Sequence, residues 1–242
     1  MNAVIDIGNS SAKVGIFNNF DLIEKHSFPD ESSLIREGLK DLSPDWLLVS
    51  SVKGFEYPFE AIFKSVKKKY FYLTPSLSLP LVNLYKTPQT LGFDRIAAAC
   101  GAWQKFPHQN SLVVDVGSCL TFESVTARGE YCGGGISPGL NMRFKAIHAF
   151  TARLPLLKPS KPGTLIGNTT DTCIQSGIIY GMEAEIEGVI SRYYEIFKEL
   201  KVILCGGDTQ FFENRLKGPI FAIPELVLHG LNSILISNAS HS

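Results

Sequence analysis

The chain is predicted to be an α/β protein built from two similar halves, and three observations lead there. An apolar strand runs into Asp-X-Gly and short polar residues twice, as AVIDIGNSS near the start and LVVDVGSCLT further on, with Asp6 and Asp115 separated by 109 positions. Each copy resumes at once as a second apolar strand, KVGIF in the first and LTFESV in the second. Stretches of helical period then follow each strand pair, so the halves divide at about residues 1–110 and 111–242.

In order, AVIDIG and KVGIF are expected as two strands of a hairpin, joined through the turn-prone NSSA. ESSLIREGLKDL has helical spacing, DWLLVSSV is a buried strand, and FEAIFKSVKKKY places Phe59, Ile62, Phe63 and Val66 on one helical stripe. The lysines Lys67 to Lys69 then form a solvated helix end. Past a proline-containing stretch, GFDRIAAACGAWQKF is a helix whose small residues suit close approach to another element. SLVVDVG and LTFESVTA are the second strand pair, GEYCGGGISPG is a glycine-rich turn region, and NMRFKAIHAFTARLP begins a helix. After a loop from Pro155 to Pro162, the clearest helix runs from about Asp171 to Leu200. Its stripe is Ile174, Ile178, Met182, Ile186, Ile190, Tyr194 and Phe197, and Gly177 and Gly181 share a face. KVILCGGD is an apolar strand ending in a glycine turn, and ELVLHGLNSILI is the last helix.

The 242 residues, 45% hydrophobic and 19% charged, suffice for a substantial core and for two lobes. Lys+Arg and Asp+Glu number 23 each, so net charge gives no reason to expect nucleic acid or an acidic membrane surface as partner. Five cysteines without a C-x-x-C pair indicate reduced, mostly buried thiols rather than a disulfide framework or a zinc site. Met1 and Asn2 lead straight into a strand pattern, and no uncharged apolar stretch approaches the ~20 residues of a membrane span, so a cytoplasmic location is expected. The five histidines show no metal-ligand spacing and are assigned to packing or surface.

A strand that ends in Asp-X-Gly suits phosphate chemistry. The turn needs free backbone N–H groups, a residue small enough to admit the ligand, and short hydroxyl or amide side chains. Gly8, Asn9, Ser10 and Ser11 offer these, as do Gly117, Ser118 and Thr121. The Asp adds a carboxylate where a hard cation bridging phosphate oxygens offsets the repulsion, and Lys13 adds a direct positive charge. For one copy alone, a plain β-turn with the Asp bonded to its own backbone explains the pattern as well. Neither G-x-x-x-x-G-K-[ST] nor G-x-G-x-x-G occurs.

These hairpins, with the late strand into CGGD, resemble the phosphate and adenosine motifs of the actin and sugar kinase superfamily. Within it the chain resembles the type III pantothenate kinases along nearly its whole length. The matches are DIGNSSAKVGIF, LYKTPQTLGFDRIAAACGA, VVDVGSCLTFE, GGGISPGLNM and GNTTDTCIQSGIIYG, in the family's order. The resemblance implies a duplicated actin-like (ribonuclease H-like) fold with two lobes around a nucleotide cleft. It implies a cytoplasmic enzyme that phosphorylates pantothenate to 4′-phosphopantothenate with ATP, the first step towards coenzyme A. Asp6, Ile7, Gly8, Asn9, Ser10, Ser11, Ala12 and Lys13 would bind ATP, with Asp6 near its Mg2+ and Ser118 adding a contact. Asp115 would hold a monovalent cation, K+ or NH4+. Tyr85, Gly92, Phe93, Asp94 and Arg95 would line the pantothenate pocket and Thr170 would touch the substrate, the helix with Gly177 and Gly181 forming the seam of a homodimer. Ser118 stands where the family more often has Thr, and GNTT departs from the usual Gly-Lys-Asn-Thr.

Asp94 is the candidate base for the pantothenate hydroxyl, since a positioned carboxylate accepts the proton as the γ-phosphoryl group arrives. Alternatively, Asp94 caps the helix that begins beside it. Arg95 suits a carboxylate or phosphate, or a place on the surface. Tyr85 suits a ligand hydrogen bond, or packing with Pro88. A catalytically inactive nucleotide-binding regulatory protein of the same fold is the competing function, set apart by the retained acids Asp6, Asp94 and Asp115.

Overall fold

The computed structural model describes residues 1–9, 11–51 and 62–239. Two compact units emerge: Met1–His108 with Val125–Cys132 and Glu225–Ser242, and Gln109–Ser124 with Gly133–Pro224.

The first unit is organised by a five-stranded sheet in the order β3-β2-β1-β4-β5. Its strands are β1 (Asn2–Ile7), β2 (Ala12–Asn18), β3 (Asp21–Phe28), β4 (Trp46–Ser51) and β5 (Lys69–Tyr72). β1 runs antiparallel to β2 and parallel to β4, which explains two different sequence signatures. A tight hairpin serves the antiparallel pair, whereas β1 and β4 are covered on both faces and carry near-continuous apolar runs. Ala3, Ile5 and Ile7 enter one cluster with Val14, Leu47 and Val49. Val4 and Leu48 enter the opposite one with Phe17. Helix α1 (Glu31–Glu37) starts where the Asp30 side chain accepts from the Ser33 N–H and ends at Gly38, whose φ of 62° stops it short of the full expected stretch.

Helices α2 (Phe93–Lys105) and, at the end of the chain, Leu226–Ala239 pack on the Val4 face. The small residues of α2 act as the sequence suggests. A Cβ at Gly230 would overlap the Ala97 carbonyl, and one at Gly101 would overlap that of Leu226, so the two backbones touch. Buried Asn232 fixes the last helix to the hairpin, donating to the Asn19 carbonyl at 2.7 Å and accepting from Asn2 at 3.2 Å. The short strand β6 (Val82–Asn83) pairs in parallel with Glu130 and Tyr131, within the same unit.

The strands β7 (Ser111–Val116), β8 (Cys119–Val125), β9 (Glu130–Pro138), β10 (Lys201–Cys205) and β11 (Ile220–Ala222) follow the order β11-β10-β7-β8-β9 and belong to the second unit, except that Val125 at the end of β8 and Glu130–Cys132 at the start of β9 fall in the first. Leu112, Val114, Leu120 and Phe122 pack beneath α3 (Leu140–Ala149) and the long α4 (Thr170–Ile196). The face of α4 turned inward is Ile174, Ile178, Met182, Ile186 and Ile190. Ion pairs Arg143–Glu185 and Arg215–Glu183 tie α4 to its neighbours. A four-residue helix, α5 (Thr209–Phe212), follows β10, and Leu226–Ala239 is α6.

Several expectations need correcting. GEYCGGGISPG is a nine-residue strand, not a turn. Its glycines permit close strand contact, since a Cβ at Gly134 would overlap the backbone of Phe122 on β8. The strands β3 and β5 were not foreseen: β3 is a largely exposed edge, and polar edge strands carry a weak apolar signal. Lys67 to Lys69 are not a helix end, because Lys69 opens β5; Lys68 lies over the Trp46 ring at 5.4 Å and Lys69 over Phe71 at 5.1 Å. Phe59 and the start of the helix expected there lie outside the described residues. Helix α4 stops at Ile196, leaving Tyr194 exposed rather than buried. Of the thiols, Cys100 and Cys205 are buried, whereas Cys132 and Cys173 are exposed.

Candidate active site

The first Asp-X-Gly turn closes with the Gly8 N–H donating to the Ser11 carbonyl at 3.0 Å. Alternation along β1 and β2 sorts the expected nucleotide-binding stretch. Ile7 and Ala12 are buried in the core, so only their backbone is available to a ligand, while Asp6 and Lys13 share the other face as direct cross-strand partners. Asn9 is exposed and Ser11 half-buried; Ser10 lies outside the described residues.

Asp6 sits between two strands, with Lys13 opposite on β2 and Ser50 opposite on β4. Burial pushes its carboxyl up to about 6; Lys13 counters this, the Asp94 charge adds to it, and a hydrogen bond from Ser50 opposes it. The site therefore holds two carboxylates that repel, one cation and one neutral donor. Ser50 is only 2% exposed and was missed by the sequence reading, because it ends the apolar strand WLLVSS and only strand register identifies its neighbour.

Asp94 stands in the first turn of α2, exposed, with Oδ1 accepting from the Arg95 N–H at 2.8 Å. A Cβ on the N-cap residue Gly92 would lie 2.5 Å from that oxygen, so glycine makes room for this carboxylate orientation. Asp94 is therefore not the cap expected for a helix beginning beside it: the helix starts at Phe93, Gly92 is the N-cap and no side chain caps it, while one Asp94 carboxylate oxygen is held by the next backbone N–H. Phe93 packs against the core. Arg95 is buried, with its guanidinium 5.7 Å from the Tyr85 ring centre, and Tyr85 stacks on buried Tyr131 at 6.1 Å. Tyr131, inside the stretch expected as a turn, is a second neighbour that the sequence did not mark.

In the second unit, Asp115 ends β7 beside Cys205 of β10. Gly117 and Gly206 crowd its carboxylate: a Cβ at Gly117 would be 3.2 Å from Oδ1, and one at Gly206, where φ is 97°, would overlap it. Ser118 is exposed at the turn. The CGGD turn adds Asp208, whose N–H donates to the Val116 carbonyl at 2.9 Å and whose carboxyl is raised by burial. The CGGD motif is visible in the sequence, but nothing there marks its Asp. Thr170 is the exposed first residue of α4, after Thr169 has formed a capping box with Thr172. It lines an open groove of about 1060 Å³ with Arg143, Ile147, Leu154 and Gly177.

The donors fit hard cations. Asp6 and Asp115 supply carboxylate oxygens, and the repulsion between Asp6 and Asp94 is the kind that a divalent cation relieves. Among the described residues no group of three or more His, Cys, Asp and Glu could by itself hold a metal.

A family profile described as type III pantothenate kinase matches residues 3–192. A protein of Christiangramia forsetii named type III pantothenate kinase is 41% identical over 245 residues, covering 98% of this chain and 99% of its own. Among solved structures, a conserved Campylobacter jejuni protein provisionally described as a Baf family transcriptional activator aligns with a TM-score of 0.64 at 20% identity, over 98% of this chain and 99% of that one. A Listeria monocytogenes protein provisionally described as an N-acetylmannosamine kinase aligns with a TM-score of 0.51 at 13% identity, over 98% and 99%. At such identities the structural likenesses speak for the fold alone, an α/β, two-lobed actin-like one.

Proposed function

The chain belongs to the type III pantothenate kinase family, and from that premise we propose how its residues phosphorylate pantothenate to 4′-phosphopantothenate with ATP, at the entry to coenzyme A biosynthesis. The observation that carries the assignment of roles is the meeting of Asp6, Lys13 and Asp94 in one place. A phosphoryl donor, its cation and a hydroxyl acceptor require a cation-binding acid, a phosphate-binding base and a proton acceptor, and these three side chains supply one each.

In this proposal the Asp6–Lys13 hairpin cradles the ATP phosphates, with the turn after β1, which the Gly8 N–H closes onto the Ser11 carbonyl, and the Lys13 ammonium facing their oxygens. Asp6 holds Mg2+, which when bound neutralises charge on the β- and γ-phosphates. Asp94 accepts the proton of the pantothenate primary hydroxyl as its oxygen attacks the γ-phosphorus and the bond to the β–γ bridging oxygen breaks. Anchoring of Oδ1 by the Arg95 N–H supports this, because it fixes the direction of Oδ2 before substrate arrives. Arg95 and Tyr85 face the pantothenate carboxylate and polar groups. The guanidinium over Tyr85, with Tyr131 stacked behind, is already ordered and loses little entropy on binding.

Ser118 contacts ATP from the second turn, and Asp115 holds K+ or NH4+. The crowding of the Asp115 carboxylate by Gly117 and Gly206 supports a tightly built oxygen site there. Residues 1–110 and 111–242 are duplicated halves, which the two Asp-X-Gly hairpins support. A cytoplasmic homodimer is the working form, with Thr170 serving the partner's substrate pocket. Gly177 and Gly181 open onto free space, and Phe150, Leu165 and Ile166 are 89%, 70% and 84% exposed, as a surface awaiting a second copy would be.

The test is Asp94→Asn, assayed by coupled turnover with pantothenate, ATP titration calorimetry and melting. Asn keeps the shape and an oxygen for the Arg95 N–H, so melting and ATP affinity should hold while kcat falls roughly 10²–10⁴-fold. Turnover within about threefold of wild type, below the lower end of that range, would remove Asp94 from the role of base.

A further inference from the structure

We propose that Ser50 is a positioning residue for phosphoryl transfer: its hydroxyl holds the Asp6 carboxylate in the orientation that meets the nucleotide-bound magnesium. The inference rests on the assignment of Asp6 above. Strand register carries it. β4 lies parallel to β1 and puts Ser50 directly opposite Asp6, and β2 puts Lys13 opposite on the other side, so the carboxylate is flanked across three adjacent strands. The Ser50 side chain bonds the carboxylate and, at 2% exposure, has lost almost all contact with water. A hydroxyl buried at that depth costs stability unless it is paired, and here Asp6 is its partner.

The chemistry explains why serine suits the position. The strand reaches Ser50 through the buried run Leu47, Leu48 and Val49, and an apolar residue would continue that run at no cost in polar burial. A lysine or arginine would neutralise Asp6 and weaken its attraction for a cation. A hydroxyl donates one bond, leaves the carboxylate's formal charge intact, and fixes one oxygen so that the other points outward. Lys13, half-exposed and flexible, faces phosphate; Ser50, short and buried, sets the angle of the acid.

The experiment compares wild type, Ser50→Ala, Ser50→Thr, Asp6→Asn and the double variant Ser50→Ala with Asp6→Asn. Dissociation constants for ATP are measured by calorimetry with Mg2+ and with EDTA, alongside kcat and the KM for each substrate. Removing one hydrogen bond to a charged group should weaken Mg-ATP binding about tenfold in Ser50→Ala. ATP binding in EDTA and the pantothenate KM should stay within about twofold, and Ser50→Thr, which keeps the hydroxyl, should recover most of the loss. In the Asp6→Asn background the alanine change should add nothing, because Ser50 acts through Asp6. Unchanged Mg-ATP binding in Ser50→Ala beside a defective Asp6→Asn overturns the role of Ser50 alone. A fully competent Asp6→Asn overturns the assignment of Asp6 and the role of Ser50 with it. If Ser50→Ala fails to fold, Ser50→Cys keeps the shape with a much weaker donor, and wild-type Mg-ATP affinity in that variant equally overturns the proposal.

Discussion

Replacing Asp6 by Asn should make the nucleotide-free protein more stable at neutral pH while disabling it. Burial raises this carboxyl from 3.8 to about 6, against the help of Lys13 and Ser50. The unfolded chain gives up the proton near 3.8 and the folded chain keeps it to about 6. Below 3.8 both states are protonated and Asp6 costs nothing; between the two values the folded state binds more protons, so stability falls as pH rises; above 6 the full cost applies. At about 1.4 kcal/mol per pH unit, that cost is at most about 3 kcal/mol. Asn has no charge to desolvate, so Asp6→Asn should gain about 1–3 kcal/mol at pH 8, or roughly 2–12 °C in Tm at about 2–4 °C per kcal/mol, and the gain should shrink steadily towards pH 4. Calorimetric melting of both proteins at pH 4.5, 6 and 8, without nucleotide or Mg2+, tests this. A variant no more stable than wild type at pH 8, or a difference that ignores pH, would refute the desolvation argument. The gain would mark Asp6 as a residue retained for binding at the expense of stability.

The buried β1, β4, β7 and β10 were legible in the sequence because strands covered on both faces are written as apolar runs, and α2 and α4 because their period or small-residue content is strong. Edge strands were not. β3 exposes most of its length, so its sequence, DLIEKHSF, is set by solubility as much as by pairing. The glycines of β9 misled for a different reason. Glycine marks turns through its backbone freedom, yet at Gly134 it is needed for the room a missing Cβ leaves, and sequence does not separate the two causes.

The same division runs through the site. Asp6, Lys13, Asp94, Arg95 and Tyr85 were accessible because hairpin chemistry and a family motif mark them, and the fold groups them within one unit. Ser50 and Tyr131 were not, since each meets these residues only through the fold: Ser50 across the β1–β4 register beside Asp6 and Tyr131 by stacking on Tyr85. The start of the α2 helix was not legible to the residue: it opens at Phe93 with Gly92 as N-cap, so Asp94 lies inside the first turn and its Oδ1 takes the Arg95 N–H instead of capping.

If Asp115 holds a monovalent cation, turnover at constant ionic strength should rise several-fold when Na+ is replaced by K+ or NH4+, and equal rates in the three salts would remove that assignment. If Thr170 serves a partner's pocket, specific activity should fall with dilution in step with the dimer fraction seen by light scattering, and a fully active monomer would refute a shared site. The last prediction concerns β9. Gly134→Ala drives a methyl group into the Phe122 backbone of β8, where no side chain can swing aside, whereas the Cβ of Gly135→Ala meets only the Phe122 ring edge at 3.4 Å, an ordinary contact. The first change should therefore cost more than about 2 kcal/mol, or about 4 °C or more in Tm, and the second under about 1 kcal/mol. Both substitutions remove the same backbone freedom, so entropy and turn preference act on the pair alike, and only close strand contact separates them. Equal melting of the two variants would show that Gly134 is there for flexibility, as a turn would need, and not for the space between β8 and β9.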